Sequence, residues 1–344
     1  MSGWLGKSMG VVVAVIFTIS PLVASGGTPA PTFPKMDIKI GSTMNTATPS
    51  YDGLLKLSEL VKQRTGGAVN IQVFMNSALG NDNDLLQLVK SGVVQMHVCG
   101  APVLSSLGGW EPIGVLVTPF MLKGASEEEH YAQTIKVMRG PVGKEIIEKG
   151  TKASGTRVLD TWWYGVRQTT TKTKQITKPD DVKGLKIRAS DQPIQKLSME
   201  ALGAVTTPTA MPEVYMALQM GVVEGQQNVI NTNYAFKFYE VQKYMTMLAD
   251  MTMPLVLTIN DKLFQSFSPE LRDILEKSAR EAGEHQAKLQ IAANNKDLEN
   301  LKAKGMIVNY VNRAEFAERT KDAWKEFEPI FGKGFYEKVV EAAK

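Results

Sequence analysis

GLKIRASDQPIQKLSMEALGAVTTPTAMPEVYMALQMGVVEGQQN, residues 184–228, is the stretch whose reading decides the fold. Gly184 makes a turn, and the alternating residues 185–188 read as a short strand that ends on a lone arginine, Arg188. Pro193 opens a helix through Leu202, since proline suits a first turn whose N–H needs no partner, and Gly203 ends it. Residues 204–206 read as a second strand, 213–219 as a helix stopped at Gly221, and 222–228 as a strand closing in amides. Strands and helices alternating at this pace argue an α/β protein with parallel strands.

Outward from this module the pattern continues. Residues 37–42, 69–74, 93–99 and 157–163 read as strands, and 51–64 and 82–90 as helices. Residues 127–149 read as one long helix capped by Ser126, with acids in its first turn. From Tyr164 to Lys174 the Thr-rich run alternates where earlier strands are apolar throughout, which suggests a crossing into a second lobe, and 245–259 carry the chain back. Ser268-Pro269-Glu270 starts a helix that runs to Gly305; at 1.5 Å per residue it spans about 50 Å, enough to brace both lobes.

The chain has 344 residues, 43% hydrophobic and 22% charged, long enough for two cores. A formal charge of +4 without Lys/Arg blocks excludes a nucleic-acid partner and suits a small anion. Lys7, an apolar run at 9–19 and Val23-Ala24-Ser25 make residues 1–25 a secretory signal, followed by a flexible linker over 26–35. The apolar run is shorter than the roughly 20 residues a spanning helix needs. The single cysteine, Cys99, rules out an internal disulfide.

In their order, GLKIR at 184–188, GAxxTP at 203–208, EVYMALQxGVVEGQQN at 213–228 and KFYEVQKY at 237–244 resemble the solute receptors of tripartite ATP-independent periplasmic (TRAP) transporters. The likeness covers essentially the whole chain after the leader. It implies an α/β, two-lobed periplasmic-binding-protein-like fold with a long helix spanning both lobes, and a ligand held where the lobes close by hinge motion. We place lobe I at 36–163 plus 252–292 and lobe II at 164–251 plus 293–344. The implied partners are a small organic acid anion and the membrane permease subunits of a TRAP transporter, in the periplasm, with no cofactor, no metal and no catalysis.

Arg188 is the first site candidate, because a planar guanidinium fork binds a carboxylate bidentately and keeps its charge. The resemblance makes it the partner of the substrate carboxylate; Asp191 or Glu224 would be its partner if it were structural, and Asp191 stands among the ligand-site candidates. Arg167, in GVRQTT at 165–170, is a second donor by the same resemblance or else a strand-borne ion pair. Asn228 matches a family asparagine that reaches the carboxylate. Met211 stands where sialic-acid receptors of the family carry an aromatic, and Gly100 and Val103 where they carry an acid and a base. With Trp163 as an aromatic wall, these point to a monocarboxylate with a planar or apolar tail, ahead of a sugar acid.

Enzyme readings are weaker. His97 and Cys99 share a strand face, but the strand looks buried and lacks a third orienting group, so Cys99 is expected to pack. His130, after three glutamates, is expected on a solvated face, and no histidine or cysteine pair has metal-ligand spacing. A secreted hydrolase using the cleft, or a ligand-sensing subunit, are the alternatives to a receptor.

Overall fold

The computed structural model describes residues 33–344, together with Met1 and Gly3. Apart from Met1 and Gly3, the expected signal over 1–25 lies outside the described residues, as does all of the linker except 33–35.

Two sheets organise the chain. The first has the order β2-β1-β3-β10-β4, built from β1 (Met36–Gly41), β2 (Val69–Phe74), β3 (Met96–Gly100), β4 (Thr156–Val166) and β10 (Thr252–Asn260). The second has the order β11-β9-β5-β8-β6-β7, from β5 (Gln168–Thr171), β6 (Lys186–Ala189), β7 (Val205–Pro208), β8 (Gly225–Asn228), β9 (Tyr244–Met247) and β11 (Ile307–Tyr310). The module at 184–228 forms as read, with β6, β7 and β8 separated by the helices Pro193–Glu200 and Val214–Gln219. Gly184, Gly203 and Gly221 take φ of +72°, +90° and +71°, a region only glycine enters without strain.

The sheets are mixed: the expected parallel strands are joined by antiparallel ones. β1 pairs parallel with β2 and β3, and β6 with β7 and β8, but β10 runs antiparallel to β3 and β4, and β5 antiparallel to β8 and β9. The reason is the route. The chain passes from the first sheet to the second through β4, Arg167 and β5, and returns through β9 and β10, so two strands run side by side in opposite senses. The two crossings are stitched by Arg167 N–H donating to Met251 O at 2.9 Å.

The third link is the helix Pro269–Ala303, 35 residues long, or about 52 Å at 1.5 Å per residue. Ser268 caps it by accepting from Leu271 N–H. Its Leu271, Leu275, Ala279 and Ala282 belong to the core of the first sheet, while Leu301 packs with Ile230, Met245 and Met306 beside the second, so one helix does serve both. Near its middle the helix packs tightly on Trp162: a Cβ on Gly283 would stand 2.4 Å from the indole, and one on Gly53 of the helix Pro49–Arg64 would stand 2.8 Å from it.

Three other expectations change. The helix expected over 127–149 is two, Glu127–Arg139 and Pro141–Ser154, because proline drives the preceding residue out of the α region and Gly140 accepts an extended conformation there. His130 is buried rather than solvated; its Nδ1 lies 3.2 Å from Thr252 Oγ1, and burial, helped by the nearby Arg313, pushes its pKa down to about 4. The last helices, Glu328–Phe331 and Phe335–Ala343, place Phe331, Phe335 and Val339 in the core of the first sheet, although residues 293–344 were assigned above to the second lobe.

Candidate functional site

The strand ends of the two sheets face each other across a cavity of about 70 Å³. Thr43, Asp82, Tyr164, Ser190, Gln192, Gln195 and Asn228 supply polar groups to its wall, and Met44, Val103, Met211, Phe236 and Met253 apolar ones. Arg167 and Arg188 complete it. Larger clefts of about 510 and 520 Å³ lie elsewhere on the surface, but neither is lined by a buried cation.

Arg188 sits near the end of β6 and is 5% exposed. Its Nε and Nη2 both donate to Thr209 O, at 2.9 and 2.7 Å, so one edge of the fork is pinned by a main-chain carbonyl. Arg167, 6% exposed, donates through Nη2 to Gln227 O, and its Nε has no partner. Among the described residues neither guanidinium is ion-paired. The acids that could have neutralised Arg188 are occupied elsewhere: Asp191 accepts from Asn83 Nδ2 at 3.3 Å, and Glu224 accepts from Thr173 N–H and hydroxyl. Burial lowers the Arg167 pKa to about 10, and burial together with the field of Arg167 lowers that of Arg188 to about 10. Both remain charged at neutral pH. Two buried, like-charged guanidiniums with no carboxylate in direct contact favour a bound anion.

Asn228, closing β8, lines the same cavity, and Tyr164 approaches its Oδ1 at 3.5 Å while accepting from Thr232 Oγ1 at 2.7 Å. Met211, Gly100 and Val103 line it as well, so the positions singled out by sequence come together. Asp191 does not reach the main cavity; it lines a small adjoining recess at its edge with Asn83. Trp163 is a correction. It is fully buried behind the cavity, with its ring edge-on to Tyr131 at 5.7 Å and Nε1 donating to Glu127 Oε2 at 2.9 Å. The aromatic at the cavity is its neighbour Tyr164.

Sequence reasoning missed Asp82, Thr43, Gln195 and Phe236. Asp82 registered only as the start of the helix Asp82–Ser91; its Oδ1 accepts from Thr43 Oγ1 at 3.1 Å and lies 3.2 Å from His97 Nε2. His97 and Cys99 are buried as expected, and burial pushes the Cys99 thiol pKa up. No group of three or more His, Cys, Asp or Glu among the described residues is placed to hold a metal ion.

The model of bacterial extracellular solute-binding protein family 7 matches residues 40–329. Among curated proteins, the C4-dicarboxylate-binding periplasmic protein DctP of Rhodobacter capsulatus is 32% identical over 84% of this chain and 83% of its own. The 2,3-diketo-L-gulonate-binding periplasmic protein YiaO of Escherichia coli is 29% identical over 76% and 78%. Among solved structures, the sugar acid binding protein DctPAm of Advenella mimigardefordensis, in complex with galactonate, superposes with a TM-score of 0.84 at 26% identity, covering 90% of this chain and 98% of that one. A TRAP periplasmic solute-binding protein of Ochrobactrum anthropi does so with a TM-score of 0.79 at 29% identity, covering 90% and 95%. A two-sheet fold joined by two strand crossings and one long helix, around a cavity with two unpaired arginines, accords with these matches: the chain belongs to the bacterial extracellular solute-binding protein family 7, the solute receptors of TRAP transporters.

Proposed function

We propose that this solute receptor takes a short hydroxylated monocarboxylate between Arg167 and Arg188, and hands it to the permease subunits of a TRAP transporter in the periplasm without transforming it. The observation that carries the reading is the pair of buried, unpaired guanidiniums on one cavity wall. An acid's carboxylate supplies a negative charge in direct contact with both guanidiniums, and Asn228 lies at hand for a further hydrogen bond. The cavity is narrow, about 70 Å³, which favours a short acid such as glycerate or lactate over a bulky one.

The opposite wall bears on selectivity. Asp82 presents a carboxylate that accepts a hydrogen bond from a ligand hydroxyl and repels a second ligand carboxylate. Thr43 and Gln195 add partners for hydroxyls, so hydroxyls need not be buried unpaired, and Trp163 is not there to stack an aryl tail. The relatives that bind a C4-dicarboxylate make succinate the contrasting probe. In a thermal-shift and calorimetric series, D-glycerate is expected to bind ahead of succinate, galactonate and branched keto acids. Asp82→Asn is expected to narrow the glycerate-over-succinate preference by about tenfold, equivalent to about 1.4 kcal/mol. Succinate ahead of glycerate in the wild type, unaffected by Asp82→Asn, would reject the short monocarboxylate.

The two sheets are, in this reading, the cores of two lobes that close on the acid. Long side-chain hydrogen bonds bridge them beside the cavity: Asn83 to Asp191 at 3.3 Å, Gln192 to Ser106 at 3.5 Å and Asn45 to Ala235 O at 3.5 Å. Contacts this long are weak and open readily. Small-angle scattering is expected to give a smaller radius of gyration with the bound acid than without it, and identical profiles at saturation would count against closure.

A further inference from the structure

Arg167 and Asp250 occupy the two strand crossings that join the sheets. Arg167 stands between Val166, the end of β4, and Gln168, the start of β5, while Asp250 lies between β9 and β10. Gln227 connects them. Its carbonyl accepts from Arg167 Nη2, and its side-chain amide donates to Asp250 Oδ1 at 2.7 Å. Asp250 is 2% exposed, its Oδ2 has no hydrogen-bond partner, and Arg167 Nε likewise has none. A buried carboxylate and a buried guanidinium therefore face each other across one glutamine, each incompletely satisfied.

We propose that Asp250 is the counter-ion of Arg167 in the ligand-free protein, that a bound organic anion takes over this role, and that binding is accompanied by uptake of one proton from solvent at Asp250. The inference rests on the receptor reading above. An anion arriving beside Arg167 adds negative charge near Asp250, and in a buried site the carboxylate relieves the repulsion by protonating. Asp250 lies at the crossing that must move if the lobes close, so its charge state couples to closure as well as to affinity.

The charged groups around Asp250 are few. Arg167 from the first crossing and Arg313 from the helix Arg313–Thr320 both favour its ionised form, and Arg313 donates to the neighbouring Ala249 O at 2.8 Å. His130 faces Thr252 on the next strand and titrates at about 4, below the range that matters here. Glu127 contacts Val166 N–H one residue before Arg167, and burial holds its pKa up. Burial outweighs the two arginines at Asp250 and lifts its pKa to about 6, so the carboxylate is mostly ionised at neutral pH yet close to gaining a proton. The sign follows. Below this value Asp250 is neutral and opposes an anion least, so affinity rises as pH falls through it, for as long as the ligand acid itself stays ionised.

Calorimetry with D-glycerate in buffers of different ionisation heats, between about pH 8 and pH 5, measures the linkage directly. The wild type is expected to show a buffer-dependent enthalpy that reports proton uptake and an affinity rising several-fold toward low pH. Asp250→Asn, which retains an oxygen for Gln227, is expected to bind with neither dependence. The same pH profile in both proteins, or a buffer-independent enthalpy in the wild type, would overturn the proposal. A structural role alone would lower affinity or stability in Asp250→Asn without flattening the profile.

Failure of D-glycerate to bind at any pH strikes the ligand assignment, and failure of Asp250→Asn to fold leaves the calorimetric comparison incomplete. In either case a ligand-free measurement decides. The carboxyl-carbon resonance of Asp250, followed by NMR in wild type and Arg167→Met, is expected to titrate about one pH unit higher once the guanidinium is gone. Equal midpoints would show that Asp250 does not balance Arg167.

Discussion

Arg188→Ala is expected to reduce affinity for the bound acid at least 30-fold while leaving the protein folded. A charge-assisted contact in a desolvated site costs roughly 2–5 kcal/mol to truncate, and the lower figure already corresponds to a factor of about 30. The expectation of an intact fold follows from the contacts of the side chain. Arg188 has no carboxylate to leave stranded; its removal frees one carbonyl, Thr209 O, and relieves the mutual repulsion with Arg167. Arg188→Lys is expected to fare nearly as badly, because an ammonium offers no planar fork to a carboxylate. Calorimetry on both variants, with thermal unfolding as the control, checks this. Near-native affinity in Arg188→Ala would remove the guanidinium from the site, and a collapsed melting temperature would make it a structural residue.

The parts of the site that the sequence revealed are those carried by contiguous motifs. Arg188, Met211 and Asn228 belong to one run of strands and helices with glycine at each reversal, so local rules place their elements, and the match to a known family gives them a common ligand. Residues contributed by distant segments were not legible in this way. Asp82 lies far from that run, and nothing in LGNDNDLL shows that the helix it opens points into the cavity. The choice of Trp163 as the aromatic wall could not be checked from sequence: β4 changes register against β10 between Met253 and Pro254, beside Trp163 and Gly165, so position along the strand does not say which ring meets the cavity. Tyr164 reaches the cavity while Trp162 packs on the long helix and Trp163 on the helix Glu127–Arg139. The mixed sheets were hidden for a related reason. β10 is mostly apolar and buried at every position, as a buried parallel strand is, and its burial on both faces comes from its place between β3 and β4 rather than from strand direction.

Trp163→Ala should separate packing from binding most sharply. The side chain is fully buried, touches Tyr131 edge-on and packs with Val166 and Ala287, so removing it is expected to cost roughly 3–5 kcal/mol of stability through lost contacts and the void left behind. A second effect adds to this. Glu127 is half-buried, with its pKa already raised by desolvation, and its carboxylate is held by Trp163 Nε1, by Asn294 Nδ2 at 3.1 Å and by Val166 N–H. Losing the indole leaves it one donor short beside the crossing that carries Arg167. Trp163→Phe keeps most of the ring but not the N–H, and is expected to cost roughly 1–3 kcal/mol, the price of an unsatisfied buried acceptor. Denaturant unfolding of the three proteins gives these differences. Affinity of the folded Trp163→Ala protein for D-glycerate is expected to stay within about threefold of wild type, because a change of under 1 kcal/mol is all that a residue behind the wall should transmit. A large loss of affinity at unchanged stability would instead place the indole against the ligand, and return Trp163 to the role its position in the sequence first suggested.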